Sequence, residues 1–150
     1  MMISGLVVKI LFSIFSFAIT VSDFKTGGVP RIAFVFAFPV FFVLCLLSGN
    51  SQSALVMLAG TLLGLSVFLL VFIISGKKLG LADVWYAALI GLMLGPWLWY
   101  AAMFCACIAG FVYILVSGRR KIPFIPLMAL GSVAASIFCK IIVAILINTW

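Results

Sequence analysis

The sequence predicts an all-α membrane protein of six transmembrane helices, and three observations predict it. First, 68% of the residues are hydrophobic and only 7% are charged, with a mean hydropathy of +1.52, so no polar face is left to meet water. Second, the apolar residues form continuous runs rather than alternating, which favours helices over a transmembrane barrel. Third, the runs are about as long as the roughly 20 residues a helix needs to cross the hydrocarbon core. The 150 residues form one domain, 1–150.

The six segments fall at roughly 3–22, 31–48, 53–75, 81–94, 97–116 and 126–148. In the first, Lys9 lies inside the apolar stretch and no small-x-small cleavage site precedes a soluble domain, so residues 1–22 read as a mature span and not a signal peptide. Gly27-Gly28-Val29-Pro30 closes the first connection and Ser48-Gly49-Asn50-Ser51 makes the second. Ser75-Gly76-Lys77-Lys78 makes the third, Gly95-Pro96 the fourth, and Ser117-Gly118-Arg119-Arg120-Lys121 leads to Pro123 and Pro126 in the fifth. The fourth segment is short, and starts beside a loop that carries Asp83.

Charge sets the expected orientation. Connections one, three and five hold Lys25, Arg31, Lys77, Lys78, Arg119, Arg120 and Lys121, while connections two and four hold no Lys or Arg. The positive-inside rule therefore predicts a cytoplasmic location for the odd connections and external termini. Lys9 and Lys140, within the first and last segments, can snorkel outward on their long stems. The net charge of +7 is thinly spread and flanks membrane spans. It speaks for anionic headgroups of the lipid bilayer, and against nucleic acid.

The chain has no His and only two acids. A Ser-His-Asp or Cys-His arrangement is impossible, and neither a metal site nor a cofactor is expected. Cys45, Cys105, Cys107 and Cys139 lie in apolar runs with no zinc-type spacing and read as small buried hydrophobes. Trp97, Trp99 and Tyr100 read as an outer interfacial belt.

The two acids, Asp23 and Asp83, carry the functional argument, because an ionisable group in such a chain is costly to keep. Asp23 ends the first segment and Asp83 begins the fourth, so both sit at the cytoplasmic edge at similar depth. Two carboxylates brought together share a proton and titrate as a unit. The ionised member can then take a proton from water while the protonated one polarises a peptide carbonyl, which is the chemistry of an aspartic peptidase. The same pair also suits cation coordination or a proton relay in a small transporter. A third reading is plain interfacial ion pairing with Lys25 and with Lys77 or Lys78.

Three stretches add a resemblance. Asp23, followed by Lys25 and Val29-Pro30-Arg31, resembles the first motif of the type IV prepilin peptidases, a group of GxGD-type intramembrane aspartic peptidases. Gly80-Leu81-Ala82-Asp83-Val84, running into Ala87-Ala88-Leu89-Ile90-Gly91, resembles their second motif, Gly-x-Gly-Asp before a helix of small and apolar residues. Lys121-Ile122-Pro123-Phe124-Ile125-Pro126-Leu127-Met128-Ala129-Leu130-Gly131 is similar to the start of their final helix. Ala82 stands where the family commonly has Gly, and Trp85 where a Lys often follows the second Asp. The cytosolic insert with paired Cys-x-x-Cys motifs of the bifunctional members is missing, so the resemblance is to short, peptidase-only forms.

The resemblance implies catalytic Asp23 and Asp83, with Gly80, Ala82, Lys25 and Pro30 binding substrate or shaping the site. It implies a multi-pass protein of the bacterial inner membrane that cuts, on the cytoplasmic side, the short basic leader of prepilin-like membrane proteins. Gly before the second Asp would let a substrate backbone approach closely, and Ala82 adds one methyl group. The changes at Ala82 and Trp85 also admit a catalytically inactive assembly partner of the same family.

Overall fold

The computed structural model describes residues 5–26, 29–48, 53–76, 79–117 and 124–148. They form five helices: α1 (Gly5–Thr26), α2 (Arg31–Leu47), α3 (Ala54–Ile74), α4 (Leu81–Ser117) and α5 (Phe124–Asn148), with no strand among the described residues. Gly27, Gly28, Lys77, Lys78, Arg119, Arg120, Lys121 and Pro123 lie outside the described residues, as do the side chains of Arg31 and Lys140.

The helix boundaries follow local chemistry. Pro30 is the N-cap of α2 with extended backbone (φ −64°, ψ 127°), and its carbonyl accepts from Ala33 N–H at 3.0 Å. Its fixed φ suits the start of a helix. Ser53 caps α3, its Oγ accepting from Val56 N–H at 3.4 Å. Beyond α3 the chain turns at Gly76, whose φ of 64° favours a residue without a Cβ.

α4 carries the fourth and fifth expected segments, 81–94 and 97–116, with a break between them. Its 37 residues would run to about 55 Å if straight, well beyond a hydrocarbon core of about 30 Å. The chain breaks at Gly95, whose φ of 74° and ψ of 174° are confined in practice to glycine, and Pro96 has no N–H to continue the ladder. Two arms result, residues 81–94 and 96–117. Trp99 Nε1–H donates to the Ala87 carbonyl at 2.9 Å. Those residues would stand about 18 Å apart along a straight helix, so the second arm folds back on the first. Among the described residues, three stretches are long and apolar enough to cross a membrane, Gly5–Asp23, Ala54–Ile74 and Leu81–Val116, and two shorter apolar helices span Ile32–Leu47 and Phe124–Cys139.

Trp99 therefore corrects the expected aromatic belt. It is 2% exposed and packs edge-on against Phe68 of α3, while Trp97 and Tyr100 face outward. Its N–H needs a partner once buried, and Ala87 supplies one. The cysteines also differ from expectation: Cys45 is buried, Cys105 and Cys139 are half-buried and Cys107 is exposed.

Small residues bring the helices together. A Cβ on Gly60 of α3 would collide with the carbonyl of Gly91 in α4, and one on Gly64 with that of Ala87. On α5, a Cβ on Gly131 would meet the Ala102 carbonyl. Gly60 and Gly64, like Ala87 and Gly91, are four residues apart on one helix face, the small-xxx-small pattern that lets membrane helices touch along their backbones. The core around this seam includes Met57, Tyr86, Leu89, Ile90, Ile125 and Met128. The outer surface is equally apolar, with Phe17, Leu55, Ile74 and Val116 among many large exposed side chains. Such a surface belongs against lipid. α3, both arms of α4, and α5 pack closely, whereas α1 meets its neighbours over a thin interface.

Candidate active site

Asp83 sits in the first turn of α4, two residues after the helix begins at Leu81. Gly80 N–H donates to Asp83 Oδ2 at 3.1 Å, and Asp83 N–H donates to the Gly80 carbonyl at 3.1 Å. This is half of a capping box: a carboxylate reaches back to an orphan N–H at the helix start. It fixes one carboxyl oxygen and leaves the other for chemistry. A Cβ on Gly80 would stand 3.0 Å from Asp83 Oδ2, so glycine is what lets the carboxylate lie there.

Asp23 is half-buried in the last turn of α1. The positive end of the α4 dipole faces Asp83, and the negative end of the α1 dipole faces Asp23, so the two acids have unlike environments. They are near enough for the Asp23 charge to act on Asp83. No hydrogen bond joins the two carboxyls, and among the described residues neither is paired with a cation.

The other expected site residues are placed as follows. Ala82 is half-buried and packs against the core. Trp85 is partly exposed and stands edge-on to Phe38 of α2, with ring centroids 6.0 Å apart. Lys25 is exposed in the last turn of α1, and Pro30 is exposed at the start of α2. Among the described residues, no contact ties Lys25 or Pro30 to either carboxylate. No group of three metal-ligating side chains occurs among the described residues.

Below the acids lie residues that sequence reading passed over. Tyr86, one turn along α4 from Asp83, is fully buried and its ring tilts against Phe34. Ser16 and Thr20 lie on the Asp23 face of α1, seven and three residues before it. That 4-3 spacing was readable as a polar stripe in an apolar helix.

The fold and this site define a helical protein of lipid-compatible exterior with its two carboxylates, Asp23 and Asp83, at helix ends. Compared with models of known families, residues 10–115 match the type IV leader peptidase family, and the chain belongs to that family. It is accordingly a membrane protein of a peptidase family. The match takes in both Asp23 and Asp83 and stops short of α5, so the stretch 121–131 lies outside it. A search of curated proteins and a search of solved structures each found no match.

Proposed function

We propose that this protein is an intramembrane aspartic endopeptidase that removes the basic leader of type IV pilin-like precursors. The observation that carries the reading is the placement of the chain's only two acids, Asp23 in the last turn of α1 and Asp83 in the first turn of α4. Family membership supports leader peptidase activity in general.

In this mechanism Asp23 and Asp83 hold one proton between them. The ionised carboxylate takes a proton from water, and the water oxygen attacks the scissile carbonyl. The protonated carboxyl hydrogen-bonds to the carbonyl oxygen as negative charge develops there, and the C–N bond then breaks as the carboxyl that took the water's proton passes it to the leaving amine nitrogen. Gly80 holds one Asp83 oxygen, Ala82 shapes the approach for the substrate strand, and Lys25 and Pro30 border its path. The two arms of α4 act as separate passes, giving six spans, with the odd connections in the cytoplasm of a bacterial cell and the site at the inner face of the inner membrane. A precursor with its apolar helix in the bilayer then presents its leader junction at the depth of the acids.

The test is cleavage of a leader-bearing precursor by purified Asp23→Asn and Asp83→Asn variants. Both substitutions are nearly isosteric, so both proteins should insert and fold while losing cleavage. Substantial cleavage by either one refutes the dyad.

A further inference from the structure

α1 carries Asp23 and the first arm of α4 carries Asp83, yet among the described residues no extensive packing joins these two helices directly. α2 lies against both. Phe34 of α2 tilts against Tyr86, with ring centroids 6.4 Å apart, and Phe38 stands edge-on to Trp85 at 6.0 Å. Trp85 and Tyr86 fall within one turn of Asp83. Further along α2, Phe41 takes two rings of α1 edge-on, Phe12 at 5.6 Å and Phe15 at 5.5 Å. All four separations lie in the range that favours aromatic pairs.

Phe34, Phe38 and Phe41 are four and three residues apart, so they share one face of α2. Phe34 and Phe41 are buried and Phe38 is half-buried, whereas Phe36 on another face is 67% exposed. One face of α2 thus holds one acid-bearing helix at its start and the other further along. α5 also meets α1, but a groove of about 510 Å³ opens between them, lined by Ser16, Phe17 and Thr20 of α1 and by Leu127 and Leu130 of α5. Close-packed rings transmit position, and a groove does not. The first arm of α4 is in addition fixed against α3 by the backbone approaches of Gly60 to Gly91 and of Gly64 to Ala87. α1 has no such seam, so its place depends most on α2.

We propose that Phe34, Phe38 and Phe41 are positioning residues: α2 is the template that sets where α1, and with it Asp23, stands relative to the arm that carries Asp83. The catalytic consequence rests on the proposed dyad, but the hold itself does not. None of the three rings touches substrate; each acts through the helix it holds. Replacing Phe41 with Leu opens a void on one side of α1 while the groove already lies on another, so the helix is free to shift. A misplacement of about 1 Å between reacting groups can cost about a hundredfold in rate.

Two readouts test it. The first needs no cleavage. In the full chain with its four native cysteines replaced, spin labels at Ala18→Cys and Leu70→Cys, both exposed positions, report the place of α1 against α3 and, through the glycine seam, against α4. The expected result is one narrow distance distribution, which Phe41→Leu broadens or shifts and Phe36→Leu leaves as it was. Phe12→Leu combined with Phe15→Leu removes the same contacts from the α1 side. That pair should match Phe41→Leu, and adding Phe41→Leu to it should change nothing more. An unchanged distribution in Phe41→Leu, or in the α1 pair where Phe41→Leu does not fold, overturns the hold. The second readout is cleavage kinetics. Phe41→Leu should lower kcat about 10- to 100-fold with KM unchanged, because alignment is lost and substrate contact is not. A raised KM with kcat kept, or wild-type turnover beside a broadened distribution, overturns the positioning role. A broadened distribution in a chain that cleaves no precursor even with Phe41 in place upholds the hold and rejects the peptidase reading instead.

Discussion

Replacing Gly80 with Ala should damage activity at a modest cost in stability. The added methyl would stand 3.0 Å from Asp83 Oδ2 and 3.7 Å from its Cγ. A carbon and an oxygen at that separation are a few tenths of an ångström too close, so the carboxylate must give way. The 3.1 Å bond from Gly80 N–H to Oδ2 is the contact most directly disturbed. A hydrogen bond to a charged group contributes about 1.5–3 kcal/mol. At about 1.4 kcal/mol for each factor of ten, its loss predicts a fall in kcat of roughly 10- to 100-fold. The backbone has no quarrel with alanine here: Gly80 is exposed, and the glycines of positive φ among those described are Gly76 and Gly95. Alanine restricts the unfolded chain by up to about 1 kcal/mol, which offsets part of what the disturbed bond costs the fold, so stability should fall by no more than about 2 kcal/mol. The assay is leader cleavage at matched protein level, with thermal unfolding in the same detergent. Wild-type turnover in Gly80→Ala would show that the Asp83 oxygen bound by Gly80 plays no part in catalysis.

Gly60→Ala should lower thermal stability sharply, because its methyl meets the Gly91 carbonyl and a backbone cannot swing aside. Overpacking of this kind costs about 1–3 kcal/mol or more, and unchanged unfolding in detergent would deny the close α3–α4 seam. At position 82, the half-buried Ala should tolerate Gly, while Ala82→Val and Ala82→Leu should reduce turnover in order of size; full activity in Ala82→Leu would remove the substrate strand from this face. The cleavage rate should trace a bell against pH, since the proton-sharing pair is lost when both acids are protonated and again when neither is. A rate that climbs steadily with pH would point to a different base.

The fold was readable in the sequence as far as composition could carry it. Long apolar runs and Gly/Pro breakers mark α1, α2, α3 and α5 closely, because a bilayer leaves the chain few alternatives to helix. Gly95-Pro96 was visible as a breaker. The break at Gly95 falls between the expected segments 81–94 and 97–116, and what the apolar runs do not encode is that the second arm folds back on the first. Trp99 was misplaced for a similar reason: an aromatic cluster beside a turn suits an interface, and only the fold-back that offers it the Ala87 carbonyl draws it inward. The Gly60–Gly64 and Ala87–Gly91 spacings carried a packing signal that hydropathy alone ignores. At the site, the scarcity of acids singled out Asp23 and Asp83 at once, and the structure places them in the last turn of α1 and the first turn of α4. The bond from Gly80 to Asp83 was not foreseen, although a carboxylate three residues after a helix cap commonly reaches back. The hydroxyls of Ser16, Thr20 and Tyr86 went unread because hydroxyls in apolar helices ordinarily bond to their own backbone, and only coordinates show which do not.

The most direct measurement of the central claim is an experimental structure of the Asp83→Asn variant holding an uncleaved, leader-bearing precursor. The account predicts the scissile carbonyl between positions 23 and 83, with both side chains within hydrogen-bond reach of it or of its attacking water. A precursor seated with its leader junction away from either position, or with the two side chains still apart, would contradict it.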